Sequence, residues 1–125
     1  MPYSLTWSDR GVDVTFSGLI SASDILQSGI ELRESERFAR CRYQVFNFAP
    51  ADLSKLDLAS LRDIAFEDTQ TSLAQPEPAL AIVSTSAIAD ALAFHYKQMA
   101  EHYKMTWPVV LFSTVKEARA WTNTL

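Results

Sequence analysis

Three short apolar runs constrain this chain more than any other feature: Tyr43 to Phe48 (YQVFNF), Ala79 to Val83 (ALAIV) and Val109 to Phe112 (VVLF). Runs this short, rich in β-branched and aromatic residues and almost without polar interruption, are the pattern of strands covered on both faces. Strands buried in that way are parallel, and parallel strands need crossovers of a dozen or more residues. The intervening segments are long enough and carry helical rather than alternating periodicity. Pro78 and Pro108 each stand directly before an apolar run, and Ser84 and Ser113 directly after.

Ser21 or Ser23 caps a first expected helix, with Asp24 in its first turn and Ile25, Leu26, Ile30 and Leu32 on one stripe, ending near Phe38. A second is expected from about Asp57 to Ala74, with Leu58, Leu61, Ile64 and Ala65 buried. Gln75-Pro76-Glu77-Pro78 ends it, because proline cannot continue a helix. The third runs from Ser86 to Lys104 with Ile88, Leu92, Tyr96, Met99 and Tyr103 at spacings of four, four, three and four. Thr114 and Glu117 have capping-box spacing and open a last helix through Trp121.

Upstream, Tyr3, Leu5 and Trp7 alternate with hydroxyl residues, as do Val12, Val14 and Phe16 with Asp13, Thr15 and Ser17. The link Ser8-Asp9-Arg10-Gly11 reads as a hairpin turn in which Gly11 supplies a positive φ. The expected order is β-β-α-β-α-β-α-β-α: one α/β domain over residues 1–125, with about five strands in a mixed, mostly parallel sheet, an antiparallel N-terminal hairpin and about four helices.

Charge narrows the function. Fifteen acids against eleven bases leave a net charge of −4, so no global positive field attracts nucleic acid or an anionic membrane. The longest uncharged run, Pro78 to Ala89, is twelve residues, short of the roughly 20 that span a bilayer. The N-terminus, with Pro2 and Asp9 ahead of Arg10, does not read as a signal peptide. Cys41 is the single cysteine, which excludes an intramolecular disulfide and fits a cytoplasmic setting. Arg40 and Arg42 flank it, but no base is placed near it, so a structural role is expected. No nucleophile elbow, phosphate-binding glycine loop, dinucleotide fingerprint or His-Glu-x-x-His occurs, so no cofactor and no enzyme chemistry is expected.

Ligands of parallel α/β sheets sit outside the carboxyl ends of the strands. The loops there are residues 49–56, Ser84-Thr85-Ser86 and Ser113-Thr114. The hydroxyls of the last two suit either a bound anion or ordinary helix capping. Asp52, Ser84 and Ser113 are the set an enzyme would draw on. His95, Met99 and His102 share one side of the third helix, yet no cluster supplies a third or fourth metal ligand, so no metal site is expected. Tyr96, Met99 and Tyr103, with Phe94 nearby, could wall an apolar pocket or pack as core.

The order of elements, from the Tyr3-Ser4-Leu5-Thr6-Trp7 hairpin to the Glu117-Ala118-Arg119-Ala120-Trp121 helix, resembles the SpoIIAA-like fold shared by STAS domains and the related STAS/SEC14-type small bacterial proteins. In the phosphoswitch members an Asp-Ser-Ser/Thr-Gly-Leu motif opens the helix after the central strand. Its counterpart here is Asp57-Leu58-Ala59-Ser60-Leu61, where Leu58 stands at the phosphorylated position and Ser60 replaces the glycine. A leucine cannot accept a phosphoryl group, so that switch does not carry over. The resemblance implies a non-catalytic interaction or regulatory module with a protein partner. Separately, the hydroxyl ladder Ser4, Thr6, Thr15 and Ser17 suits self-association as a homodimer if the first hairpin supplies an exposed edge. The alternative that the resemblance implies is a small apolar or amphiphilic ligand held between the third helix and the sheet.

Overall fold

The structure, a computed structural model, describes residues 2–125. Strands β1 (Tyr3–Trp7) and β2 (Gly11–Phe16) pair antiparallel, and β2 is followed in space by β4 (Tyr43–Asn47), β6 (Ala79–Val83) and β7 (Val109–Phe112), all parallel. Two dipeptide strands, β3 (Gly18–Leu19) and β5 (Ala51–Asp52), pair separately beyond the carboxyl end of the sheet. Helices α1 (Ala22–Glu34), α2 (Leu58–Ala74) and α3 (Ala87–His102) are the crossovers, and α4 (Val115–Thr122) closes the chain. The expected α/β class, element order and mixed five-stranded sheet are those observed.

Register explains the two layers. Val12, Gln44 and Leu80 lie side by side, as do Val14, Phe46 and Ile82, and this face packs against Ile25 and Leu32 of α1, Leu61 and Ile64 of α2, and Ala89, Ala93 and Tyr96 of α3. The opposite face, Tyr43, Val45, Ala81 and Val83, packs against Ala118 of α4. Each crossover moves one strand further in the same direction, β2 to β4 to β6 to β7, and all three crossover helices therefore share a face. The strand order never reverses, so the sheet lacks the switch point at which open α/β sheets usually bind ligands.

Several local expectations are corrected. Helix α1 stops at Glu34, not near Phe38, because Ser35 turns extended and its Oγ accepts the Arg37 N–H, opening a 3-10 turn over Glu36–Arg40. That turn buries Phe38, whose ring meets Trp107 edge-on at 6.3 Å. Of the two candidate caps Ser21 is used, and with Asp24 it forms a full capping box. At the last helix the Thr114 hydroxyl accepts the Glu117 N–H, but Glu117 Oε1 takes the Thr114 hydroxyl proton instead of its backbone N–H, leaving half a box.

The helical stripes also differ. Ile30, Leu58 and Ile88 were expected inside and lie outside. Their places are taken by small residues: Ser28 on α1, Thr69 and Ser72 on α2, and Ala89, Ala93 and Ala100 on α3. The three buried hydroxyls donate to their own helix, Ser28 to the Ile25 carbonyl at 2.6 Å, Thr69 to Ala65 at 2.7 Å and Ser72 to Thr69 at 2.8 Å. Self-satisfied in this way, they are buried without an unpaired group.

Gly11 does not have the positive φ expected of it; among the glycines only Gly18 does, at +75°. A Cβ on Gly11 would lie 2.6 Å from the Tyr43 ring, so close approach is what requires glycine there.

Candidate functional site

The space between the three crossover helices and the sheet is the first candidate, because Tyr96 was expected at its wall. Phe46, Phe48, Leu61, Ile82, Leu92 and Tyr96 are among its lining residues, and it encloses about 50 Å³. Ligand pockets hold roughly 300 Å³ or more. Large side chains on the sheet keep it small: Phe16 stacks on Phe48 at 4.5 Å, and Phe46 lies 5.9 Å from Phe16.

Only one member of the expected aromatic wall reaches this space. Met99 and Tyr103 do not line it; they lie at the margin of the buried stripe, and Tyr103 meets Phe66 of α2 edge-on at 5.9 Å. Phe94 is on the exposed side of α3. Ala89, Ala93, Tyr96 and Ala100 are the fully buried positions, since alanines allow α3 to approach the sheet. Of the expected stripe Tyr96 is buried, Leu92, Met99 and Tyr103 pack half-buried against the core, and Ile88 lies outside.

At one end of the cavity the Tyr96 hydroxyl donates to Asp68 Oδ2 at 2.6 Å, joining α3 to α2. Burial raises the Asp68 carboxyl to about 6, with the Tyr96 hydrogen bond opposing the shift. Burial and the neighbouring Asp68 carboxylate both push the Tyr96 hydroxyl well above its ordinary value. Next to this pair lies a smaller void of about 10 Å³ bounded by Asp68, Gln44, Arg33 and Thr71. Gln44 is almost wholly buried on β4 and its Nε2 finds no partner. Neither Asp68 nor Gln44 was expected at a site. A signal for Asp68 existed: it falls four residues after Ile64 and seven after Leu61, an acid on a buried stripe. Gln44 gave none, because a strand covered on both faces makes every position equivalent.

The carboxyl-end loops are occupied by their own structure. Ser86 is the N-cap of α3, its Oγ accepting the Ala89 N–H at 3.1 Å, and Thr114 caps α4. Ser84 is buried and donates to Asp90 Oδ1 at 2.6 Å. Thr85 and Ser113 are exposed. Asp52 accepts the Ser54 N–H, which with the Ser54 hydroxyl holds its carboxyl below the usual range. Asp52 and Ser84 thus have partners other than each other, and no hydrogen bond links either to Ser113. In the counterpart of the phosphoswitch motif, Asp57 is the N-cap of α2 and accepts the Ser60 N–H at 2.8 Å, which with the Ser60 hydroxyl lowers its pKa. Leu58 follows as the first helical residue, half exposed.

His95 and His102 are exposed on α3, and no three His, Cys, Asp or Glu side chains gather among the described residues. Cys41 is buried, and burial pushes its thiol up to about 11. No helix among the described residues is long and apolar enough to cross a membrane.

Both edges of the five-stranded sheet are open, at β1 and at β7. The Ser8 N–H bonds the Gly11 carbonyl at 2.9 Å and the Ser17 N–H bonds the Pro2 carbonyl at 3.0 Å, which sets the phase of the hairpin ladder. By alternation the backbone groups of Ser4 and Thr6 face β2, while those of Tyr3, Leu5 and Trp7 face away. The side chains of Ser4 and Thr6 are exposed on the α4 side of the sheet. There α4 reaches only as far as Arg119, which pairs with Asp13 and lies 5.4 Å from the centre of the Tyr43 ring. The chain matches no family model and no curated protein.

Proposed function

We propose that this protein is a non-catalytic interaction module that pairs with a second copy of itself through β1. The observation that carries the reading is the character of that edge: five residues without a charge or an internal proline, at the end of the strand order. Proteins that stay monomeric usually blunt such an edge. The pairing is self-complementary. In an antiparallel contact centred on Leu5, Tyr3 of one copy stands opposite Trp7 of the other, and the outward backbone groups of both are satisfied. Ser4 then lies opposite Thr6, two small hydroxyl side chains that fit side by side.

Light scattering at micromolar concentration tests this. Wild type is expected as a dimer. The double variant Ser4→Lys and Thr6→Lys, which places like charges across the contact without touching the core, is expected as a monomer. A monomeric wild type, or a variant that dimerises equally well, overturns the reading. The apolar-ligand alternative draws less support, because its cavity is several-fold smaller than such a ligand requires.

A further inference from the structure

At the end of the sheet opposite the carboxyl-end loops, a cleft of about 370 Å³ separates the β1–β2 turn from the 3-10 turn after α1. Its charged lining consists of Asp9, Arg10, Arg37 and Arg40. Three arginines against one aspartate leave a local charge of +2, on a chain whose net charge is −4. The Arg119–Asp13 pair is the one ion pair among the described residues, so none of the three guanidinium groups of the cleft is held in a salt bridge. Crowding like charges is unfavourable unless an anion offsets it.

Both walls are held in place before any ligand arrives. Ser8 Oγ and Tyr43 Oη are hydrogen-bonded at 2.8 Å, Gly11 lies against the Tyr43 ring, and the Arg42 N–H bonds the Arg10 carbonyl at 2.6 Å. Across the cleft, the Ser35 hydroxyl caps the 3-10 turn, the Cys41 N–H closes it on the Phe38 carbonyl, and Phe38 is anchored on Trp107. The backbone that carries the three arginines is therefore fixed, and their planar donor forks suit the oxygens of an oxyanion.

From these features we infer that the cleft binds a small phosphate monoester. Such an ester carries about −1.5 to −2 at neutral pH, which matches the local +2, whereas a monocarboxylate would leave a charge uncompensated. The cleft volume falls in the range of small-molecule sites and exceeds what a bare phosphate fills. The organic part of the ester has Trp7 as its apolar neighbour. The inference is independent of pairing through β1.

The test is a titration with phenyl phosphate at low ionic strength, followed by amide and indole shifts in nuclear magnetic resonance. Benzoate serves as the singly charged control of similar size. Saturable shifts are expected at Trp7, Arg10, Arg37 and Arg40, with affinity roughly tenfold weaker for benzoate and for the double variant Arg37→Gln and Arg40→Gln. Both substituted residues are exposed, so an unchanged thermal melt verifies that the variant is folded. Absent or non-saturable shifts overturn the inference, as does equal binding of benzoate, equal affinity in the variant, or equal shifts at Arg119.

Discussion

Gly11 shows how one position can be read correctly and for the wrong reason. A glycine ending a four-residue link marks a turn, and the turn is there. What demands glycine, however, is the face of Tyr43, thirty-two positions away in the chain, and no local pattern announces that contact. Gly11→Ala is expected to lower stability by about 1–3 kcal/mol, since an added methyl must displace an aromatic ring that is itself buried. Urea denaturation checks this, and an unchanged midpoint would refute the packing argument. Gln44 and Cys41 make the same point. Their burial follows from what the sheet places around them, and the raised thiol pKa of Cys41 follows from that burial.

At the level of elements, α3 ends in a way its sequence conceals. Lys104 has φ +67°, the only positive φ at a non-glycine residue among those described. The Met105 N–H bonds the Ala100 carbonyl at 2.9 Å and the Lys104 N–H bonds that of Glu101 at 3.1 Å, the two bonds of a Schellman motif. A lysine in the position that favours glycine is strained. Lys104→Gly is therefore expected to raise stability by about 1 kcal/mol, measured by thermal or urea unfolding. A loss of stability would mean that the lysine side chain contributes more than its backbone costs. The third helix was legible from residue 86 onward because its cap and periodicity are local. Its buried ridge was misplaced by part of a turn, because Ile88 is apolar and Ala89 is small, and only the close approach of the helix decides which is inside. The same holds for Ser28 and Ser72, small polar residues that only helix packing buries.

On the scale of the whole molecule, Asp68 and Tyr96 tie two crossover helices together across the core. Burial raises the Asp68 carboxyl to about 6, so the folded protein retains a proton that the unfolded chain has released at the same pH. The contribution of this group to stability is then greatest below its ordinary pKa near 4, falls as pH rises through 6, and is constant above. Asp68→Asn keeps an acceptor for the Tyr96 hydroxyl and removes the charge. It is expected to be more stable than wild type at pH 7 by about 2 kcal/mol and to lose the slope between pH 4 and 6. Denaturation midpoints across that range provide the measurement, and parallel curves for the two proteins would place the titration elsewhere.

What the sequence determined by itself is the succession of elements and their class. Short doubly covered strands, helical stripes, hydroxyl caps and proline stops are local or of short period, and each acts over one turn or one strand. The helix after the central strand could be placed, with Asp57 ahead of it as its cap. Tertiary structure alone decided the rest. The constant direction of the crossovers leaves the sheet without a switch point, and the bulk of Phe16, Phe46 and Phe48 nearly closes the interior that an apolar ligand would need. The arginine cleft is the clearest case. Arg10 and Arg37 are far apart in sequence, and no spacing rule joins them. They meet because β2 pairs with β4 in a register that sets Gly11 beside Tyr43, bringing the hairpin turn against the chain that leads into β4. Long-range pairing is a property of the whole sheet, and the charge it concentrates exists only once the sheet has formed.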